Sequence, residues 1–461
     1  MNYFFCGIGG IGMSAIALWL KAKGHNVSGS DRTFDNHILN PVIDNLNQNE
    51  IRVFPQDGSG IDEQIACLVI SSAIEDDNPD IIKAKSLNIP IKKRAEVLAD
   101  IFHQYKGLSV SGTSGKTTIT AMCGHILFEA GKNPTVLNGG ILINDFGQKN
   151  QSNLIIGDSD VCVIESDESD GSIELYNPYV GIISNISLDH KPIEQLRPLF
   201  KNFASRCQAG CIFNKDCAET SALIPFAKNA KTFSLAAENN ADYVATDITP
   251  TLDGISFKVN GIDSFLIVSG EHNIANALAA IAAVSYYGVD LITALEALKT
   301  FKGTKRRLEK IGTAKGVAIY DDYAHNPEKI KASIKTLSMP NTNNRLWIVF
   351  QPHGFAPTRL VKNDLIDVLS NEPAFQDIVI IPEIYYSGGT VEKNISSEDI
   401  INAVKGRGKQ AFFFDNRVKI VPFIAEQVKS GDRILIMGAR DASLTDFAKD
   451  ILKQIEEPIL S

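Results

Sequence analysis

The stretch Leu108-Ser109-Val110-Ser111-Gly112-Thr113-Ser114-Gly115-Lys116-Thr117-Thr118 decides how the rest of the chain is read. An apolar, β-branched run ends in a glycine turn, and the helix-prone segment TITAMCGHILFEAG follows at once. Strand, glycine loop with Lys-Thr, then helix is the context of a phosphate-binding loop. In such a loop, backbone N–H groups and a helix N-terminus cradle polyphosphate, the lysine neutralises it, and a threonine hydroxyl reaches a divalent cation. The spacing is shorter than G-x-x-x-x-G-K-[ST], because Val110 stands where that pattern wants its first glycine. The segment predicts a nucleoside triphosphate site built from Gly112, Thr113, Ser114, Gly115, Lys116, Thr117 and Thr118.

Working towards the N-terminus, a second glycine loop appears. An apolar strand runs into Gly7-Ile8-Gly9-Gly10-Ile11-Gly12, then a helix carrying Ile16 and Leu20 that stops at Gly24. The next strand, HNVSGSD, ends in Asp31. This is the dinucleotide fingerprint in a strand-turn-helix-strand context, with the acidic residue near its expected place. A nicotinamide cofactor, a flavin or a UDP-linked sugar would each satisfy it. ACLVISSAI (66–74) reads as a further strand whose end, Ser71-Ser72, lines a site, and NIPIKKRAEVLADIF as a short strand and helix.

Towards the C-terminus, VCVIESDESDGS (161–172) is a buried strand running into Glu165, Asp167, Glu168 and Asp170. Hard cations take oxygen ligands, so carboxylates at a strand end beside a phosphate loop predict a Mg²⁺ site. Four acids in six residues repel one another, which also favours an organising cation. GIISNISLDH is a third strand ending in Asp189-His190, and EQLRPLFKNFASRC a helix. Alternation over 241–269, with turns at Asp253-Gly254 and Asn260-Gly261, predicts antiparallel strands. GEHNIANALAAIAAVSYYG is helical, as is 290–301. Beyond Gly303 strands and helices alternate again: GVAIYDDYAH, a helix at 327–337, RLWIVFQPH, a helix from about 359, DIVIIPEIYY and RILIMGARDASL. That order predicts a mostly parallel, doubly wound sheet.

The chain has 461 residues, more than one core organises. Boundaries near Gln104-Tyr105-Lys106 and Gly303 give three α/β domains: a Rossmann-like domain (1–105), a central P-loop-type ATPase domain (106–302) and a C-terminal Rossmann-like, doubly wound domain (303–461). A net charge of −9 argues against a nucleic-acid partner. No apolar run approaches the ~20 residues of a membrane span, and no signal peptide is visible, so a cytoplasmic protein is expected. Cys6, Cys67, Cys123, Cys162, Cys207, Cys211 and Cys217 read as reduced, packed thiols.

Eleven segments, in order, resemble the Mur ligases of peptidoglycan precursor synthesis: GIGGIGMSAIA, VISSAI, KRAEVLA, SGTSGKTT, ESDESDGS, NISLDH, GEHNIANALAA, GTKRRLE, DDYAHNP, VFQPH and IMGARD. The resemblance covers essentially the whole chain. It implies ATP-driven amide formation: a carboxylate becomes an acyl phosphate, an amine attacks, and phosphate leaves. It implies ATP, Mg²⁺, UDP-N-acetylmuramate and an amine acceptor. That acceptor is L-alanine on the likeness of GIGGIGMS, ESDESD and VFQPH, with a recycled tripeptide or another amine on a divergent paralogue as alternatives.

The resemblance further implies roles. Lys116 contacts the β/γ-phosphates, while Thr117, Glu165 and His190 hold Mg²⁺. Asn273 and Asn276 hold the adenine and its surroundings, and Arg307 and Asp322 close over ATP. His325, His353 and Arg359 face the reacting carboxylate or the incoming amino acid. Gly7, Gly9, Gly10, Gly12, Asp31, Ser71 and Ser72 hold the UDP-sugar. The expected assembly is a monomer or weak homodimer. Ser114 stands where alanine-joining members usually carry histidine, the segment after Asp31 is unfamiliar, and Lys201 is given no role.

Overall fold

The computed structural model describes the chain except residues 36–40, 72–73, 148–151, 188–191, 252–253, 269, 339–342, 387–391, 440, 442 and 458–461. It divides into two compact units, Met1–Ile267 with His272–Lys302, and Val268–Glu271 with Gly303–Ser461.

The first unit holds two sheets. The first contains β1 (Asn2–Cys6), β2 (Asn26–Ser30), β3 (Arg52–Phe54), β4 (Cys67–Ile70) and β5 (Ile91–Lys93) in the order β3-β2-β1-β4-β5. All its pairings are parallel. The order reverses between β1 and β4, and ligands of open α/β sheets bind outside the carboxyl ends of strands at such a switch. The glycine loop leaves β1 there, and Ser71 leaves β4.

The second sheet runs β15-β14-β13-β12-β11-β10-β6-β9-β7-β8. Its strands are β6 (Lys106–Ser111), β7 (Thr135–Leu137), β8 (Leu154–Ile155), β9 (Val161–Glu165), β10 (Val180–Ile183), β11 (Gly210–Asn214), β12 (Ala230–Ser234), β13 (Tyr243–Pro250), β14 (Ile255–Val259) and β15 (Ile262–Leu266). The β13–β15 ribbon is antiparallel, as its alternating pattern predicts. Asp253, expected in one of its turns, lies outside the described residues. Strand β6 sits between β10 and β9 and is parallel to both. Its carboxyl end is therefore flanked by theirs, which places the Lys116 loop beside Ser184–Ser187 and Glu165. Val110 lies inside β6, so the loop begins only at Gly112 and is short for that reason.

A continuous core joins the two sheets. Trp19, Phe102, Leu137, Ile164 and Tyr176 belong to one buried cluster, and the Phe102 and Tyr176 rings meet edge to face at 5.6 Å. Cys207 and Cys211 are buried in a separate apolar cluster with Phe203 and Phe213.

The second unit is built on β16 (Glu309–Ala314), β17 (Val317–Asp322), β18 (Leu346–Phe350), β19 (Ile378–Pro382), β20 (Gln410–Phe414) and β21 (Arg433–Met437), ordered β16-β17-β21-β18-β19-β20. Only β16 runs antiparallel. The central strands LWIVF and IVIIP are buried at every position, as strands covered on both faces must be. The helix Pro327–Leu337 starts where expected, with Pro327 at its first position and the Asn326 side chain accepting the Lys329 N–H at 2.9 Å. Where one helix is expected from about 359, the structure has two, Phe355–Leu360 and Lys362–Asn371. Gly354 (φ 72) turns the chain out of β18, and Thr358 returns its hydroxyl to the Gly354 carbonyl.

Candidate active site

Around the Lys116 loop the structure gathers Gly112, Thr113, Ser114, Gly115, Thr117, Glu165 and Asn276. Gly115 caps the helix Lys116–Glu129 with φ 84. A Cβ there would stand 2.6 Å from the Asn276 Oδ1, so the loop and the helix Glu271–Val284 are in close contact. Asn276 donates to the Asn273 side chain at 3.2 Å, and both asparagines are buried.

The loop is braced from β10. The Asn185 Oδ1 accepts the Thr113 hydroxyl at 2.7 Å and the Ser114 N–H at 2.8 Å, and its Nδ2 donates to the Ser114 carbonyl at 3.1 Å. The Ser184 hydroxyl donates to the same carbonyl at 2.8 Å. A loop two residues short of the usual pattern thus borrows an outside amide for its shape. Sequence reading missed Asn185. It lies in NISLDH, five residues before His190.

The ammonium of Lys116 donates to the Gly112 carbonyl and to the Glu168 carboxylate, each at 2.7 Å. Asp167 approaches it at 3.8 Å, and Asp170 lies 4.0 Å from the Arg94 guanidinium. The chain's own cations therefore neutralise part of the acidic run that was expected to need a metal. The Thr117 hydroxyl donates to Glu165 at 3.2 Å, and the other Glu165 oxygen accepts the Gly139 N–H. A hydroxyl and a carboxylate oxygen side by side at a helix N-terminus are the donor types a hard cation takes. His190, the third expected ligand, lies outside the described residues. Thr118 is half-buried in the first turn. Lys201 places its ammonium 4.1 Å from the Phe226 ring centroid, a surface cation–π contact.

At the first glycine loop, the N–H groups of Gly7 and Ile8 both donate to the Ser30 carbonyl. Asp31 accepts the Gly9 N–H at 2.8 Å through one oxygen, and the Thr33 N–H and hydroxyl at 2.9 and 2.6 Å through the other. The acid expected to face a ligand thus also shapes the loop. Gly10 caps the helix Ile11–Ala22. Ser71 is half-buried at the end of β4, and Ser72 lies outside the described residues.

In the second unit the candidates collect at the carboxyl edge of the sheet. Asp322 ends β17, is buried and accepts the Ser333 hydroxyl; burial pushes its carboxyl up, partly offset by Ser333 and by Arg307. Arg307 and Arg306 each place a guanidinium 5.3 Å from the Tyr323 ring centroid. Arg307 is flanked by two left-handed residues, Arg306 (φ 57) and Leu308 (φ 48), and strain of this kind collects at functional sites. Arg306, which sequence reading passed over, anchors the segment through Asp321 at 3.3 Å and the Gly438 carbonyl at 2.6 Å. The His325 ring lies 5.8 Å from that of His353, and burial holds His325 down to about 4. Arg359 is exposed in the last turn of its helix and donates to Asn394.

A short phosphate loop backed by a strand-end carboxylate, on a chain with a further glycine loop and two more α/β sheets, fits an ATP-dependent ligase that forms amide bonds, the class its family models give it. The chain belongs to the Mur ligase family. Family models match it as Mur ligase family, catalytic domain (residues 2–106), Mur ligase middle domain (110–284) and Mur ligase, glutamate ligase domain (306–440). A UDP-N-acetylmuramate–L-alanine ligase of Lachnospira eligens is 35% identical over 98% of each chain. Another, of Caldicellulosiruptor bescii, is 35% identical over 95% of this chain and 96% of its own. The solved UDP-N-acetylmuramate-alanine ligase of Thermotoga maritima superposes with a TM-score of 0.78 at 27% identity, over 98% of this chain and 99% of that one. A murein peptide ligase of Psychrobacter arcticus shares the fold, with a TM-score of 0.68 at 23% identity over the whole of both chains. Among the described residues no helix is long and apolar enough to cross a membrane.

Proposed function

We propose that the chain joins L-alanine to the lactyl carboxylate of UDP-N-acetylmuramate at the expense of ATP. The observation that carries this reading is full-length likeness to ligases named for that reaction, combined with a phosphate loop whose lysine and threonine meet carboxylates. In this reading residues 1–105 hold the nucleotide sugar, 106–302 hold ATP, and 303–461 complete the reaction.

Lys116 exchanges Glu168 for the β/γ-phosphates, and the loop amides cradle them. Thr117 and Glu165, with His190, would hold Mg²⁺, which supplies charge neutralisation on the transferring phosphoryl group. Asn273 and Asn276 position the adenine end, and Arg307 and Asp322 act on the nucleotide from the C-terminal unit. The lactyl oxygen attacks the γ-phosphorus and ADP leaves, giving an acyl phosphate. The alanine amine then adds to its carbonyl and phosphate departs. His325, His353 and Arg359 face the reacting carboxylate or the amino acid's carboxylate, for which arginine offers a bidentate fork. Catalysis by positioning and charge neutralisation requires no covalent enzyme intermediate.

Phosphate release measured with ATP, Mg²⁺, UDP-N-acetylmuramate and each L-amino acid in turn, plus the recycled tripeptide, tests the reading. L-Alanine is expected to give the fastest turnover, and preference for the tripeptide would transfer the chain to the recycling branch.

A further inference from the structure

We propose that Arg94 is a substrate-binding residue, the cation that receives the diphosphate of a nucleotide sugar held on the Gly7–Gly12 loop. The inference rests on the nucleotide-sugar reading above and adds a residue that neither the glycine fingerprint nor the acidic motif identified.

Its geometry follows from the first sheet. Strand β5 lies next to β4, and Arg94 is the first residue of the helix Arg94–Phe102 that leaves its carboxyl end. The helix Ile11–Ala22 leaves the carboxyl end of β1, two strands away. Both helices start on the same edge of the sheet, where their N-terminal dipoles favour an anion. The Arg94 side chain reaches across to the first turn of the neighbouring helix: a Cβ on Gly12 would stand 3.0 Å from Nη1 and 3.6 Å from Cζ. Glycine is a poor helix former, and here it leaves room for a guanidinium against the helix backbone.

The second observation concerns what holds Arg94. Its ion-pair partner is Asp170 at 4.0 Å, and the arginine side chain is 36% exposed. A half-exposed pair at that distance is weak, and a phosphate offering two oxygens to the guanidinium fork displaces it readily. Asp170 closes the run that also supplies Asp167 and Glu168 to Lys116. One acidic segment therefore holds the cation beside the first glycine loop and the cation of the ATP loop. Each would be released as its own phosphate arrives.

The test uses the full chain with UDP and uridine as probes, titrated by calorimetry into wild type, Arg94→Ala and Arg94→Lys. Wild type is expected to bind UDP more tightly than uridine. Arg94→Ala is expected to weaken UDP about tenfold or more while uridine affinity stays within about twofold, since a charge-assisted contact is removed and no base contact is. Arg94→Lys should recover part of the loss, because charge remains and the fork does not. Thermal melts of both variants close to that of wild type show that they are folded. UDP affinity within twofold of wild type in Arg94→Ala overturns the inference and leaves the ligase reading intact. A wild type that binds neither UDP nor UDP-N-acetylmuramate overturns both.

Discussion

The ammonium of Lys116 lies 2.7 Å from the carboxylate of Glu168, a side chain only 2% exposed. A buried acid thus occupies the lysine proposed to meet the β/γ-phosphates. Removing one partner of a buried pair costs on the order of 3 kcal/mol. Lys116→Ala is therefore expected to lose turnover and to unfold at lower denaturant. Glu168→Gln keeps the shape and removes the competing charge, so its ATP Kd should fall several-fold, as expected when a binding-competent state is released. Calorimetry with ATP reads this directly, and a weaker Kd would mean that Glu168 orients the lysine instead of competing for it.

Asn185 makes two side-chain contacts to Ser114 and one to Thr113. Asn185→Ala is expected to raise the ATP KM about tenfold while the KM for UDP-N-acetylmuramate holds. Asn185→Asp keeps the acceptor but loses the donor and adds a negative charge beside the phosphates, so it should bind ATP no better than the alanine variant. Steady-state kinetics over both substrates checks the ordering.

Gly112 has φ 131, and a Cβ there would lie 2.2 Å from the Ser184 hydroxyl and 3.1 Å from the Asn185 backbone. Gly112→Ala must move the loop against its brace and should abolish turnover. Gly131 also has positive φ, 72, but nothing lies within 4 Å of its Cβ position. Gly131→Ala should cost about 1 kcal/mol of stability and leave kcat intact. The pair separates backbone strain from the loop's fit.

His325 is held near 4, mainly by burial, against an ordinary value of 6.5. Between those values the unfolded chain binds the proton and the folded chain does not, so stability falls as pH drops through the window. Thermal melts of wild type and His325→Asn from pH 7 to 4.5 should show wild type losing more. Parallel loss in the two proteins would contradict the assignment.

The sequence made both glycine loops, the strand-end acids and the three sheets visible, because each is a local pattern: a strand, a turn and a helix within some thirty residues. What it hid depends on partners far along the chain. Asn185 lies 71 residues from Ser114, and Glu168 lies 52 from Lys116. Arg94 meets Gly12 only because β5 and β1 lie in one sheet with helices leaving the same edge. Strand β16 escaped notice because EKIGTA alternates weakly and pairs antiparallel at an edge. Arg306 was passed over because its role comes from a buried pair with Asp321 and a backbone turned to φ 57, neither of which a motif displays.

In the proposed reaction ATP activates the lactyl carboxylate itself. UDP-N-acetylmuramate labelled with oxygen-18 in that carboxylate, incubated with ATP, Mg²⁺, L-alanine and the protein, tests it most directly. Attack of the labelled oxygen on the γ-phosphorus predicts that each phosphate released carries one label, read by mass spectrometry. Amide product accompanied by unlabelled phosphate would contradict it.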